Sequence, residues 1–161
     1  MEGRLHIFDG DGLKQYRLVH ESQANPYARG GSEERSCKAI YNMLYNGNLR
    51  MENTGFVKIF EFVDGATISG KAPEGIEVTI STSIMTNQGR LFNYTQSTTA
   101  ENGIYSFEVP YSTLGPIPGE TNFDTRPTGP YTIIAGDISK SVDVAEQDVL
   151  AGGIITVDLK E

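Results

Sequence analysis

The rhythm of the chain after residue 55 limits its fold more than any other feature. Ile76, Val78, Ile80 and Ile84 alternate with Glu77, Thr79 and Ser81. A period of two sets one face of a strand on a core and leaves the other in water. Before it, Gly65 to Gly70 makes a short strand between glycines. Phe56 to Val63 places Phe56, Phe60 and Phe62 on one face and Val57, Ile59 and Val63 on the other. Apolar residues on both faces predict a strand covered on both sides. Asn87-Gln88-Gly89 turns the chain into a strand over Arg90 to Thr95, and Asn102-Gly103 opens another over Ile104 to Val109, where Tyr105, Phe107 and Val109 share a face. A Pro- and Gly-rich loop covers Pro110 to Pro130. Strands over Tyr131 to Ala135, Ser141 to Val144 and Ile154 to Leu159 close the chain. Short strands at intervals of roughly ten residues, separated by turn signals, predict a β-sandwich.

The first third has a different texture. Leu5, Ile7 and Phe8 form a short strand, Gly10-Asp11-Gly12 turns, and Tyr16 to Val19 return, which predicts a hairpin. Asp9 and Asp11 fit turn chemistry; a calcium loop would need more oxygen ligands than this segment supplies. Ser22 to Gly31 is polar and irregular. Ser32 can then cap a helix with Glu33 and Glu34 in its first turn, and Cys37, Ile40, Tyr41 and Leu44 recur at helical spacing. Gly47 ends it. That stripe packs against the sheet or serves as a docking face, and Cys37 on it reads as a small buried apolar residue. The fold class is therefore mainly β: an Ig-like or prealbumin-like sandwich preceded by a small α+β segment with one helix. The expected division is residues 1–55, with the hairpin and the helix 33–45, and residues 56–161, the sandwich.

Little in the sequence points to chemistry. At 161 residues the chain is long enough to bury a core without staples, and its single cysteine cannot form an internal disulfide. A net charge of −8 argues against a nucleic-acid partner. No stretch approaches the ~18 apolar residues of a membrane span, and the first residues hold no secretory signal. No nucleophile elbow, zinc spacing or phosphate loop occurs. Glu21, after Leu18-Val19, and Glu61, between Phe60 and Phe62, are the carboxylates nearest to apolar surroundings, and both read as solvated or salt-bridged strand residues. Asn93-Tyr94-Thr95 fits the N-glycosylation acceptor pattern, with Asn93 as the acceptor. Its neighbour Phe92 and its place in a strand argue against easy access.

Four segments together carry a family resemblance: LHIFDGDGLKQYRLVHES (5–22), VKIFEFVDGATISG (57–70), VTISTSIMTNQGRLFNYTQSTTAENGIYSFEVPYST (78–113) and VDVAEQDVLAGG (142–153). The pattern resembles the C-terminal region of the archaeal oligosaccharyltransferase catalytic subunit, the AglB family, over nearly the whole chain. That resemblance implies a multi-span membrane enzyme that moves a glycan from a lipid-linked phosphate donor to the Asn of an N-x-S/T sequon, using Mg or Mn. It also implies work on the extracytoplasmic face of the membrane. The partners it implies are the upstream transmembrane and catalytic portion of the same polypeptide, the acceptor protein and the lipid-linked oligosaccharide. The family's WWDYG sequon motif is absent, since the chain has no tryptophan. Its second, helical sequon motif lies upstream of the Leu5 strand. No catalytic, metal or cofactor residue is therefore carried over, and this chain alone is expected to be inactive. The resemblance gives the helix 33–45 a packing role. The alternative is a free-standing extracytoplasmic prealbumin-like binding module, with the aromatics of the Tyr111 to Tyr131 region as its contact surface.

Overall fold

A computed structural model of the chain describes residues 9–23 and 57–159. The helix expected over residues 33–45 and the first strand of the expected N-terminal hairpin lie outside the described residues.

The described part is a mainly β structure with three sheets. The larger sheet contains β4 (Glu77–Met85), β5 (Leu91–Thr99), β8 (Tyr131–Ala135) and β9 (Ile138–Val142), in the order β5-β4-β8-β9. The two-residue β7 (Arg126–Pro127) pairs with the end of β4. The smaller sheet has the order β10-β3-β6, with β3 (Ala66–Lys71) antiparallel to β6 (Ile104–Val109) and parallel to β10 (Ile154–Thr156). Strands β1 (Tyr16–Glu21) and β2 (Lys58–Phe62) form a separate antiparallel ribbon. A short helix, α1 (Glu146–Ala151), precedes β10.

One apolar cluster joins the two larger sheets. Val78, Ile80 and Ile84 of β4, Tyr94 of β5 and Tyr131, Ile133 and Ala135 of β8 meet Ala66 and Ile68 of β3 and Tyr105, Phe107 and Val109 of β6. The alternation read from β4 and β6 is thus the core pattern, and the expected sandwich holds. At Asn102-Gly103 both residues have positive φ, 54° and 72°. That pair of left-handed residues makes the tight primed turn whose twist suits a hairpin. Glu101 and Ile104 exchange both backbone hydrogen bonds across it, at 3.0 and 3.1 Å. Gly70 serves another purpose. A Cβ there would lie 2.0 Å from the Val157 carbonyl oxygen, so the missing side chain lets the C-terminal segment run alongside β3.

Several expectations need correction. Strand β5 runs on to Thr99, because its pairing with β4 continues to Glu77. Strand β9 begins at Ile138 and ends at Val142, since it forms a tight hairpin with β8. Strand β10 ends at Thr156, where its ladder with β3 ends. The loop Pro110 to Pro130 contains β7. Helix α1 was not anticipated: it has six residues and no capping side chain at Ala145. Strand β2 is not covered on both faces, since Ile59 is 52% and Phe62 57% exposed. Among the described residues it pairs only with β1.

Candidate functional site

The functional question for this chain lies at the seam where the β1–β2 ribbon meets the sandwich. Two ionic clusters and three tyrosines sit there, and a β-bulge decides which residues go to which cluster.

Residues paired across a ribbon share a face. Arg17 pairs with Glu61 and Leu18 with Phe60, but then His20 pairs with Ile59 and Glu21 with Lys58. Val19 is the extra residue of the bulge. An inserted residue reverses the alternation beyond it. Glu21 therefore shares a face with Leu18 and Lys58, and Arg17 faces the other way with Glu61 and Ile59. Without the bulge, Glu21 would fall on the Arg17 side.

On the first face, Arg17 is 1% exposed. Its two terminal nitrogens donate to the two oxygens of Glu146 on α1, both at 2.7 Å, and its Nε and Nη2 donate to Glu61 Oε2 at 2.9 and 2.8 Å. The Phe123 ring lies 4.6 Å from the guanidinium carbon. A two-pronged Arg–carboxylate pair is the strongest common charged contact. Burial works against the Arg17 charge, but hydrogen bonds to Glu146 and Glu61 outweigh it and raise the pKa.

On the second face, Arg90 donates to both oxygens of Asp9 at 2.7 Å, and its Nη2 also reaches Glu21 Oε2 at 2.7 Å. Lys58 donates to Asp9 at 2.6 Å and Thr86 Oγ1 to Glu21 at 2.6 Å. Burial alone would raise the Glu21 pKa; hydrogen bonds from Arg90 and Thr86, with the charges of Arg90 and Lys58, bring it below its usual value. Asn87 clamps the Glu21 backbone, accepting from its N–H and donating to its carbonyl.

The tyrosines complete the seam. Tyr111 Oη accepts from the Leu18 N–H at 2.8 Å, Tyr94 donates to the Leu13 carbonyl at 2.8 Å, and Tyr131 donates to the Tyr111 carbonyl at 3.0 Å. Burial pushes all three hydroxyls well above the usual phenol range, so they stay neutral. Tyr111 and Tyr131 are 2% and 0% exposed. Two of the three aromatics suggested as a contact surface for a free-standing binding module are therefore interior, and the third, Phe123, is half-buried against Arg17.

The carboxylates singled out from sequence are placed as follows. Glu21 is buried and ion-paired, and Glu61 is a half-exposed partner of Arg17. Asp11 accepts from the Thr95 N–H at 2.7 Å, and Asp9 combines its turn position with the Arg90 and Lys58 contacts. Asn93 and Thr95 are exposed on β5, apart from both clusters. The sequence reading missed Arg17 and Glu146, which meet across 129 residues of chain. The one signal was an arginine beside a core leucine in β1.

Comparison with known proteins places the seam in context. Residues 65–155 match the family described as the archaeal glycosylation protein B long peripheral domain. The chain belongs to the archaeal glycosylation protein B family. Over 99% of its length it is 32% identical to dolichyl-phosphooligosaccharide-protein glycotransferase 3 of Archaeoglobus fulgidus, of which it spans 22%. It is 36% identical to the dolichyl-monophosphooligosaccharide-protein glycotransferase AglB of Haloferax volcanii over 74% of the chain, 12% of that relative. Two solved structures of the A. fulgidus oligosaccharyltransferase superpose with TM-scores of 0.78. One is described as a complex with Zn and sulfate, at 30% identity over 98% of this chain and 24% of that one. The other is described as a complex with an inhibitory peptide and a dolichol-phosphate, at 31% identity over 99% and 22%. The chain thus spans about a fifth or less of its curated glycosylation protein B relatives, and the ribbon lies N-terminal to the stretch that matches the peripheral domain.

Proposed function

We propose that this chain is a non-catalytic part of an oligosaccharyltransferase, the membrane enzyme that transfers a lipid-linked oligosaccharide to the Asn of N-x-S/T sequons. Its task is to hold the acceptor-binding unit in place. The partners are the transmembrane and catalytic portion of the same polypeptide and, through the whole enzyme, the acceptor protein and the dolichyl-phosphate-linked glycan. The place of action is the extracytoplasmic face of the membrane. In this reading residues 1–63 belong with the central unit and residues 64–161 form the peripheral sandwich, which moves the division expected near residue 55 to the far side of β2.

The observation that supports this reading is the matching of charge at the seam. Arg17, Glu146, Asp9, Glu21 and Arg90 are satisfied by one another and by their neighbours, with both lone-pair regions of the Glu146 and Asp9 carboxylates taken by arginine. A general acid, base or nucleophile needs an unoccupied atom to offer substrate; the oxygens of Glu146 and Asp9 are already engaged by Arg17, Arg90 and Lys58. They fit a rigid joint, of the kind that holds a binding site to within about half an ångström. Among the described residues no three of His, Cys, Asp or Glu are grouped to hold a metal. In this reading the Mg or Mn implied for the full enzyme would be held by the portion this chain does not span.

The isolated chain, mixed with a sequon peptide and a lipid-linked donor, is expected to transfer no glycan and to bind no peptide up to about millimolar concentration. Titration by NMR reads this directly. Peptide binding at millimolar affinity or tighter would overturn the supporting role.

A further inference from the structure

We infer that Asn93 is itself an N-glycan attachment site, and that the sugar lies over the outer face of the β5-β4-β8 sheet. The inference rests on the reading above only for the presence of a lipid-phosphate-linked oligosaccharide donor and an enzyme that uses it.

Asn93-Tyr94-Thr95 is the sole N-x-S/T triplet in the chain, with no proline at its middle position. In β5 the strand alternation sorts its three residues. Tyr94 is fully buried and points into the core, while Asn93 and Thr95 are exposed together on the opposite face. The expectation that Phe92 would hinder access is not met, because an adjacent strand residue projects to the other side. Among the described residues, strand β5 is also the outermost strand of its sheet.

The sheet face beside the triplet is lined by small, mostly polar residues, and the Asp11 carboxylate meets the Thr95 backbone. Asn93 stands opposite Ser83 and Thr95 opposite Ser81, while Thr132 of β8 flanks Ser81 on its other side. Together with Thr128 and Gly129 these residues line a shallow depression of about 420 Å³. Hydroxyl groups on a flat face can donate to and accept from the hydroxyls of a sugar laid across them. Asparagine is a poor strand former, and at this exposed position it has no packing to offset that.

The step balances. Nδ2 of Asn93 attacks the anomeric carbon of the donor sugar, the N–C bond forms, and the C–O bond to the lipid phosphate breaks. The phosphate leaves with the electron pair, and Nδ2 gives up a proton to the medium. In the folded chain the Thr95 N–H is tied to Asp11. Transfer therefore precedes closure of the 9–15 turn over β5, and the finished sheet leaves room for the glycan.

The test is mass spectrometry of the full-length protein purified from its native cells. Trypsin cuts after Arg90 and Lys140 and is blocked at Arg126-Pro127, so Asn93 falls in the peptide Leu91 to Lys140. That peptide is expected to carry the mass of the cell's N-glycan. Asn93→Gln and Thr95→Val should lose the added mass completely, and Thr95→Ser should keep it. A bare peptide, from cells whose other sequon proteins are glycosylated, would overturn the proposal and leave the enzyme reading standing. A glycan on Asn93, in a protein that fails to glycosylate a sequon peptide in vitro, would uphold the site and count against that reading instead.

Discussion

Arg17 and Glu146 illustrate how a buried charge behaves when its partner is taken away. Neither reaches water, so removing one strands the other in a low-dielectric surrounding. Arg17→Met is expected to cost about 3–5 kcal/mol of unfolding free energy, whereas Glu61→Gln, on the half-exposed partner, should cost about 1 kcal/mol or less. Replacing Arg17 and Glu146 together by apolar residues of similar volume should recover most of the loss, and urea unfolding of the three variants measures it. Glu21 gives a pH dependence. Its carboxylate holds a proton less tightly folded than unfolded, so the unfolded chain binds more protons under acid conditions. The resulting stability is complete above the usual value of 4.5 and is lost as pH falls through the lower folded value. The unfolding midpoint, followed from pH 7 to pH 2.5, should fall less steeply for Glu21→Gln than for the parent chain; equal slopes would remove Glu21 as a contributor. The sequence revealed Glu21 and Glu61 as strand carboxylates in apolar company. It could not reveal which arginine each would meet, because the Val19 bulge, which directs Glu21 to Arg90, leaves no trace in the hydrophobic pattern.

Among the elements, legibility followed the strength of local signals. Strands β4, β6 and β8 carry alternating large apolar residues and turn residues at their ends, and each was readable. Strand β10 was readable from its start at Ile154 but not at its end, and helix α1 was not readable; both are held by distant contacts. Helix α1 has one buried apolar residue, Val149, and one buried charge, Glu146, whose partner lies on β1. Strand β10 exposes Ile154 and is held by its parallel ladder to β3, by the Val157 N–H bond to the Ser69 carbonyl at 2.9 Å and by the Tyr105 hydroxyl bond to the Val157 carbonyl. Burial, and secondarily the charge of Asp158, pushes the Tyr105 hydroxyl up to about 12, so this last bond persists to high pH. Gly70 is the point on which the arrangement depends. Gly70→Ala places a methyl group against backbone, which has no rotamer to yield with, and should cost about 1–3 kcal/mol. Amide hydrogen exchange at Val157 and Leu159 should speed up in that variant, while exchange across the β4–β5 hairpin stays as it was.

At the scale of the molecule, the mainly β class and the family were both legible, the first from period and punctuation, the second from segments such as YRLVHES and VPYST. Strand β2 was harder to place, because its composition resembles the sandwich while its hydrogen bonds go to β1. The pairing of Arg17 with Glu146 also has a consequence in time. The seam joins positions 129 residues apart. On a ribosome it cannot close until helix α1 has been made, and at typical synthesis rates that comes on the order of 3–10 s after Thr95 is added. For that interval the Asn93 sequon travels on an unfinished chain, before Arg17 has met Glu146.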